Sequence, residues 1–209
     1  MSAANGNSLD SLVGRFRCIL SDPPWRQKMS GVFKNHDAAR RLPYPTMTLD
    51  EIKALPVGQL AADGCHLWLW TTNAFLRDGF DVMDAWGFRY LAPVHWIKPS
   101  GIGCWFIHRT QTLLFGYKGR CDFPLARMLP NIIETGNPRA HSAKPDATYS
   151  YIESVSPGPR LEMFARPWTP MFPKRDGWET WGNEMANDVE IHTANVSNDV
   201  SGRSGANER

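Results

Sequence analysis

Phe16-Arg-Cys-Ile-Leu-Ser21 runs directly into Asp22-Pro23-Pro24-Trp25, and this stretch decides the fold. A short apolar run that contains Phe, Ile and Leu indicates a strand. The two prolines end the strand because they lack the N–H group that a strand ladder needs. A second run, Cys65-His-Leu-Trp-Leu-Trp70, alternates large apolar residues and predicts another buried strand. The tetrapeptide after the first strand is therefore a stiff turn at its carboxyl end.

Strands and helices alternate along the rest of the chain. Further strands are predicted at 91–97, 112–117 and 160–165. Helices are predicted after the capping box Thr48-Leu-Asp-Glu51, from Asn73 to Trp86 with Gly87 as the stop, and from Lys144-Pro145 to just before Ser156. This alternation predicts an α/β sheet with helices on both faces. In such sheets the ligand site lies beyond the carboxyl ends of the strands, where the tetrapeptide falls.

The composition is that of one compact domain with tails. The chain has 209 residues, a net charge of +2, 42 % hydrophobic and 21 % charged residues, which excludes collagenous, coiled-coil and wholly disordered proteins. No apolar run approaches the roughly 18 residues of a membrane span, and the first residues do not form a secretion signal. We expect disorder at 1–8, a folded domain at 9–185 and a disordered polar tail at 186–209. The sizeable apolar residues of that tail are Val189, Ile191, Val196 and Val200.

Four cysteines and nine tryptophans stand out in the composition. The cysteines are scattered without a CxxC pair, which is typical of reduced thiols in a cytosolic protein and speaks against a zinc site. We therefore expect no metal. The tryptophans fit either a large core or an aromatic pocket for a flat ligand, and a large core accounts for most of them.

The chemistry of Asp22-Pro23-Pro24-Trp25 suits a planar amine. An ionised Asp22 only accepts hydrogen bonds and the stiff prolines present free carbonyls, so two acceptors can face one –NH₂ group. Trp25 offers a flat face on which an aromatic ring could stack. The pattern predicts a site for a heteroaromatic amine such as a nucleobase. A structural turn after a strand is the alternative, because Asp and Pro are common there.

Seven further motifs follow the tetrapeptide in a fixed order. They are Leu42-Pro-Tyr-Pro-Thr-Met47, Leu67-Trp-Leu-Trp-Thr-Thr72, Trp96-Ile-Lys98, Leu114-Phe-Gly-Tyr-Lys-Gly119, His141-Ser-Ala-Lys-Pro-Asp146, Leu161-Glu-Met-Phe-Ala-Arg166 and Gly177-Trp-Glu-Thr-Trp-Gly-Asn-Glu184. With them the chain resembles the adenine-N6 methyltransferases related to the eukaryotic messenger-RNA adenosine methyltransferase catalytic subunit. The resemblance covers about residues 16–184. It implies a circularly permuted, Rossmann-like α/β fold in which the catalytic motif precedes the donor-binding motif.

The resemblance implies S-adenosylmethionine as the methyl donor, with no metal, and assigns residues to it. Lys144 would pair with the donor carboxylate, and Arg166 and Asn183 would hold its ribose hydroxyls. The rest of the donor site would be Asp22, Glu162, Phe164 and Glu184. On the substrate side would lie Tyr44 over the target base, Lys98, and Gln111, near which many relatives carry an acidic residue. By themselves, Lys144, Arg166 and Asn183 would be surface residues, and Phe164 fits packing in the core.

The resemblance also implies direct methyl transfer. Hydrogen bonds from the adenine amine to Asp22 and to the Pro23 carbonyl would free the nitrogen lone pair for attack on the sulfonium methyl. Five basic residues against one aspartate in each of 26–41 and 91–130 indicate a nucleic-acid surface, although ordinary solvated loops are the alternative. The favoured substrate is DNA, since a short chain of this kind resembles bacterial and phage members.

Several alternatives stay open at the level of the sequence. The same chemistry on RNA, methylation of cytosine N4, and a noncatalytic scaffold for a partner methyltransferase would each use similar motifs. The expected location is the cytoplasm, or the nucleus in a eukaryote, and the expected assembly is a homodimer or a heterodimer with a related subunit. The longer segment at 167–176 leaves any donor contact of Trp168 or Thr169 unassigned.

Overall fold

A computed structural model describes residues 9–26, 45–103, 105–121, 123, 128–136, 144–167, 173–182 and 187–191. The helices are α1 (Leu9–Leu12), α2 (Leu49–Lys53), α3 (Val57–Leu60), α4 (Leu76–Ala85) and α5 (Ala147–Val155). The strands are β1 (Phe16–Ser21), β2 (Ala61–Thr71), β3 (Arg89–Ile102), β4 (His108–Tyr117), β5 (Ile132–Glu134), β6 (Arg160–Met163) and β7 (Trp178–Trp181).

The seven strands form one mixed sheet in the order β5-β3-β4-β2-β1-β6-β7. Strand β4 is antiparallel to both of its neighbours, and the other neighbouring pairs are parallel. The predicted α/β fold of Rossmann-like type is confirmed. Strand β1 is hydrogen-bonded to β2 on one side and to β6 on the other, and all three strands run parallel. The carboxyl end of β1 is therefore the kind of position at which ligands bind in such sheets.

Each face of the sheet carries its own apolar cluster. On one face, here called the α4 face, buried strand residues pack against α2 and α4. Its members include Phe16, Ile19, Ile52, Leu67, Leu69, Val82, Met83 and Leu114. On the other face, the α5 face, strand residues pack against α5 and include Leu20, Trp68, Trp70, Trp96, Leu113, Ile152 and Val155. Successive strand residues alternate between these faces, and helices cover both of them as expected.

The element ends follow local capping. The predicted capping box is confirmed, because the Glu51 backbone N–H donates to Thr48 Oγ1 (3.3 Å) and the Thr48 N–H donates to Glu51 Oε2 (2.6 Å). Asn73 does not cap α4 as predicted. A 3-10 turn at Asn73–Phe75 precedes the helix, and the Asn73 amide contacts His108 Nδ1 at 2.8 Å. The short edge strands β5 and β7 were absent from the sequence prediction.

The chain packs into the core beyond residue 185. Val189 and Ile191, which were assigned to a polar tail, are buried on the α4 face. Two polar side chains beside them bind β7 and the residue after it. Asp188 accepts from the Thr180 N–H (3.0 Å) and hydroxyl (2.9 Å), and Asn187 Oδ1 accepts from the Gly182 N–H (2.7 Å). Val189 and Ile191 pack into the core although this segment has few apolar residues, because the hydrogen bonds of Asp188 and Asn187 position them. The expected disordered ends 1–8 and 192–209 lie outside the described residues.

None of the described helices is both long and apolar enough to cross a membrane.

Candidate active site

Asp22 follows β1 and forms an ion pair with Lys144, which lies just before α5. The two side chains are 31 % and 18 % exposed, so the pair is shielded but open to solvent. Lys144 Nζ also lies 5.5 Å from the centre of the Trp70 ring, a cation–π distance. Lys144 was predicted to pair with the donor carboxylate, and in the structure its ammonium group pairs with Asp22.

The two proline carbonyls are not free acceptors, which corrects the sequence prediction. The Trp25 N–H donates to the Pro23 carbonyl (2.8 Å), and the Met47 N–H donates to the Pro24 carbonyl (2.9 Å). These bonds fold the tetrapeptide into a tight turn that is tied to the segment before α2. A carbonyl oxygen has a second lone pair, so each can accept one more donor.

Trp25 does not offer a free face for a ligand, which is a second correction. Its side chain is 6 % exposed and belongs to the α4-face cluster. The ring stacks on Phe75 with centres 5.5 Å apart and an interplanar angle of 13°. Its indole N–H donates to the Trp70 carbonyl at 3.1 Å. Trp25 therefore anchors the turn, because packing and a buried hydrogen bond fix its position.

Glu162, on β6 beside β1, carries the most perturbed carboxyl group of the site. The Tyr149 hydroxyl donates to Oε1 at 2.7 Å, whereas Oε2 is buried with no hydrogen-bond partner among the described residues. Burial raises the pKa of Glu162 to about 7, and the negative charge of Asp22 adds to this effect. The Tyr149 hydrogen bond and the positive charge of Arg175 act in the opposite direction.

Tyr149 and Arg175 are site residues that sequence reasoning missed. The Arg175 guanidinium lies 4.7 Å from the centre of the Tyr149 ring and donates to Asp146 at 2.6 Å. Tyr149 is thus held from one side by Arg175 and bonds Glu162 on the other. Nothing in the sequence links these three positions, because a tyrosine in a helix is most simply interpreted as core.

Two predicted substrate residues lie on the α5 face of β3 and β4. Lys98 Nζ lies 5.6 Å from the centre of the Trp96 ring, and burial and the charge of Lys144 lower its pKa. Gln111 pairs with Trp96 across the ladder, and its Oε1 is buried without a partner in the described part of the chain. The indole N–H of Trp70 is likewise buried and unpartnered there. With Glu162 Oε2, these are one buried donor and two buried acceptors that have no partner among the described residues.

The other predicted residues are placed differently or not described. Phe164 follows β6 with a φ of 62°, a conformation that non-glycine residues rarely adopt, and packs edge-on against Trp181 at 5.2 Å. Arg166 is exposed after the same strand. Tyr44, Asn183 and Glu184 lie outside the described residues. Within the described ranges, no three His, Cys, Asp or Glu residues are grouped as a metal site would require.

Comparison with known proteins identifies the family. The MT-A70 family model matches residues 16–184. An N(6)-adenosine-methyltransferase MT-A70-like protein of Drosophila melanogaster is 32 % identical over 185 residues, which cover 84 % of this chain and 28 % of the relative. The human N(6)-adenosine-methyltransferase catalytic subunit METTL3 is 30 % identical over 194 residues, covering 84 % and 29 %.

A bacterial relative has a more similar length. The Type II methyltransferase M.MunI of a Mycoplasma species is 28 % identical over 198 residues, which cover 86 % of this chain and 82 % of the relative. In contrast, the chain spans less than a third of the two eukaryotic relatives. The family match covers β1 through β7 and includes Asp22 and Lys144. The resemblance seen in the sequence is confirmed, and the chain belongs to the MT-A70 family.

Proposed function

We propose that this chain transfers a methyl group from S-adenosylmethionine to the N6 amine of adenine in a nucleic acid, with DNA as the favoured polymer. The observation that carries the proposal is Asp22, held by Lys144 at the carboxyl end of β1 in an MT-A70 domain. The names of the relatives support the reaction, since they include N(6)-adenosine methyltransferases.

The polar groups of the α5 face fit the donor. Glu162 Oε2 is a buried acceptor that lacks a partner in the described residues, and a ribose hydroxyl or an ammonium group would satisfy it. Lys144 supplies a compact positive charge for the donor carboxylate. Arg166 and the predicted residues Asn183 and Glu184 would complete the ribose side. The bound donor supplies a methyl group on a sulfonium, which makes that carbon electrophilic.

Asp22 would act on the amine of the target base. Its carboxylate and the second lone pair of the Pro23 carbonyl accept the two N–H groups of the amine. These bonds draw the nitrogen lone pair out of the ring and orient it toward the methyl group. The carboxylate also stabilises the positive charge that develops on nitrogen, an effect of about 3–4 kcal/mol for comparable preorganised groups. Asp22 polarises the amine in this scheme, and no separate general base is assigned.

The ion pair between Asp22 and Lys144 suggests how the site is prepared. Lys144 carries a single positive charge, so a donor carboxylate would compete with Asp22 for its ammonium group. When Lys144 turns to the donor, an oxygen of Asp22 becomes available for the target amine. Donor binding would therefore precede productive binding of the base.

DNA is favoured over RNA because this chain and the Type II methyltransferase M.MunI have similar lengths and align along most of both chains. RNA is the second candidate, since the relatives with the higher identities are named for adenosine, the ribonucleoside. We expect labelled S-adenosylmethionine to mark matched DNA oligonucleotides, with N6-methyladenine as the labelled nucleoside after digestion. Label in RNA alone would retain the reaction and overturn the polymer. Label in neither polymer, or in cytosine, would overturn the reaction.

A further inference from the structure

Strands β3 and β4 form a long hairpin whose tip carries three exposed apolar residues in a row. Trp105, Phe106 and Ile107 are 90 %, 77 % and 70 % exposed. A contiguous patch of exposed apolar residues is typical of an interaction surface, whereas single exposed apolar residues are common anywhere. The α4 and α5 clusters already account for the buried aromatic residues, so these three side chains have no role in the described core.

The hairpin is closed just below its tip. Ile102 pairs with His108, and a side chain at Gly101 would come within 2.2 Å of the His108 carbonyl oxygen. At Gly103 an added carbon would come within 1.8 Å of the Phe106 carbonyl oxygen, so only glycine fits this turn. The amide of Asn73, in the 3-10 turn before α4, contacts His108 Nδ1 at 2.8 Å. These contacts fix the conformation of the hairpin directly below the three apolar residues.

The tip projects from the edge of the sheet that carries Asp22. Strand β3 is antiparallel to β4, which is antiparallel to β2, and β2 runs parallel to β1. The carboxyl ends of β1 and β3 therefore lie at the same edge. Ile102 follows Lys98 by four residues, a strand length of about 13 Å, so the tip projects beyond Lys98 at this edge. A polymer bound across this edge of the sheet would run past the tip.

The charge of the hairpin fits a polyanion. From Arg89 to Cys121 the sequence has five basic residues and no acidic one. Lys98 and Arg109 lie in the half of the hairpin nearer the tip, and the Arg109 Nε donates to the Lys98 carbonyl at 2.9 Å. Proteins commonly bind nucleic acids through aromatic side chains, on which bases stack, and through nearby basic side chains, which contact phosphates.

We propose that Trp105 and Phe106 stack on bases next to the target nucleotide and hold the strand while the adenine enters the site. This inference rests on the proposed function, and it adds residues that bind the nucleic acid next to the target base. In a duplex the two rings would take over stacking that the extruded adenine gives up, a known role of apolar wedges in bent or opened DNA.

The test separates ring stacking from simple apolar contact. Trp105→Leu and Phe106→Leu keep an apolar side chain but lose the ring, whereas Trp105→Tyr keeps a ring. Val13→Ala is the matched control, because Val13 is 57 % exposed and lies before β1 at the opposite edge. Affinity is measured by fluorescence anisotropy with labelled adenine-containing DNA and RNA oligonucleotides. Calorimetry with S-adenosylmethionine checks each variant for an intact donor site, and light scattering gives its mass.

Each leucine variant should bind the oligonucleotide roughly 5- to 150-fold more weakly, the range for loss of one stacked base. Trp105→Tyr should stay within about threefold of the wild type, as should Val13→Ala. Wild-type affinity in both leucine variants would overturn the inference. So would a dimer that becomes a monomer on Trp105→Leu, because the tip would then be a protein interface. Absence of methyl transfer by the wild type would instead contradict the proposed function, and the affinities would still decide the stacking.

Discussion

The two faces of the sheet differ in what they bury, although the same strands supply both. The α4 face buries a large apolar cluster that extends to Val189 and Ile191, with Ser21 Oγ as a buried atom that has no partner in the described residues. The α5 face buries several tryptophans together with more polar atoms of this kind, among them Trp70 Nε1, Gln111 Oε1 and Glu162 Oε2. A buried polar atom without a partner lowers stability, so its presence points to a ligand. We assign the chemistry to the α5 face, because Lys144 and Glu162 lie there.

The tetrapeptide after β1 joins these two environments. Its first residue, Asp22, pairs with Lys144 beside α5, whereas its last residue, Trp25, is buried against Phe75 on the α4 face. The hydrogen bonds at the Pro23 and Pro24 carbonyls fix the turn between them. A motif that looks uniform in sequence thus contains an end to which we assign the chemistry, here called the reactive end, and an anchoring end. Substitutions at the two ends should therefore damage different properties.

The largest effect is expected at the reactive end. Asp22→Asn keeps the shape but removes the negative charge that polarises the amine, so the rate of methyl transfer should fall roughly 10²- to 10³-fold. Single-turnover assays with radiolabelled donor measure this rate. Thermal unfolding should change little, because the Asp22 side chain is partly exposed. Near-normal transfer by the variant would remove Asp22 from the chemistry.

The next effect is expected in donor affinity. Lys144→Ala removes the ammonium group that we assign to the donor carboxylate, and the affinity should fall by about 1.5–3 kcal/mol, or roughly 10- to 150-fold. Isothermal calorimetry with S-adenosylmethionine measures it. Lys174→Ala is the control, since Lys174 pairs with Asp188 beside β7 and its side chain is 49 % exposed. Equal affinities for the wild type and Lys144→Ala would mean that this lysine serves only Asp22.

The anchoring end should affect stability. Trp25→Phe removes the hydrogen bond to the Trp70 carbonyl and part of the stacking on Phe75, so the free energy of unfolding should fall by about 1–2 kcal/mol. Urea denaturation followed by circular dichroism measures it. Donor affinity should stay close to that of the wild type at temperatures where the variant is folded. A variant with full stability and lost donor binding would place Trp25 in the ligand site after all.

A further effect is a change in how stability depends on pH. Because burial raises the pKa of Glu162 from 4.5 to about 7, the folded state holds a proton that the unfolded state releases earlier. The free energy of unfolding should therefore fall as pH rises through this window. Glu162→Gln cannot ionise, so its stability relative to the wild type should increase from about pH 5 to about pH 8. Parallel stability curves for the two proteins would show that Glu162 ionises normally.

Much of this architecture was predictable because it is encoded locally. The apolar runs before Asp22 and around Trp68 and the capping box at Thr48 each depend on neighbours in sequence, and the structure places strands and a helix there. The position of Asp22 at the carboxyl end of a strand followed from the predicted strand directly before it. Family motifs added Lys144, whose role no local pattern reveals.

The remainder depends on long-range contacts that the sequence does not display. Trp25 was expected to face a ligand, but Phe75, fifty residues away, takes up its ring. The Tyr149–Glu162 bond joins a helix to a strand, and nothing in either segment marks it. Val189 and Ile191 looked too few to pack, yet Asp188 and Asn187 fix them through hydrogen bonds to the region of β7.

The difference between the faces is tested most directly by a crystal structure of the chain with S-adenosylhomocysteine, the product that remains after methyl transfer. We predict that it lies on the α5 face at the carboxyl end of β1, with Lys144 turned from Asp22 to its carboxylate and with Glu162 Oε2 accepting a hydrogen bond from it. A complex in which the Lys144–Asp22 pair is intact and Glu162 Oε2 stays unpartnered would contradict this assignment.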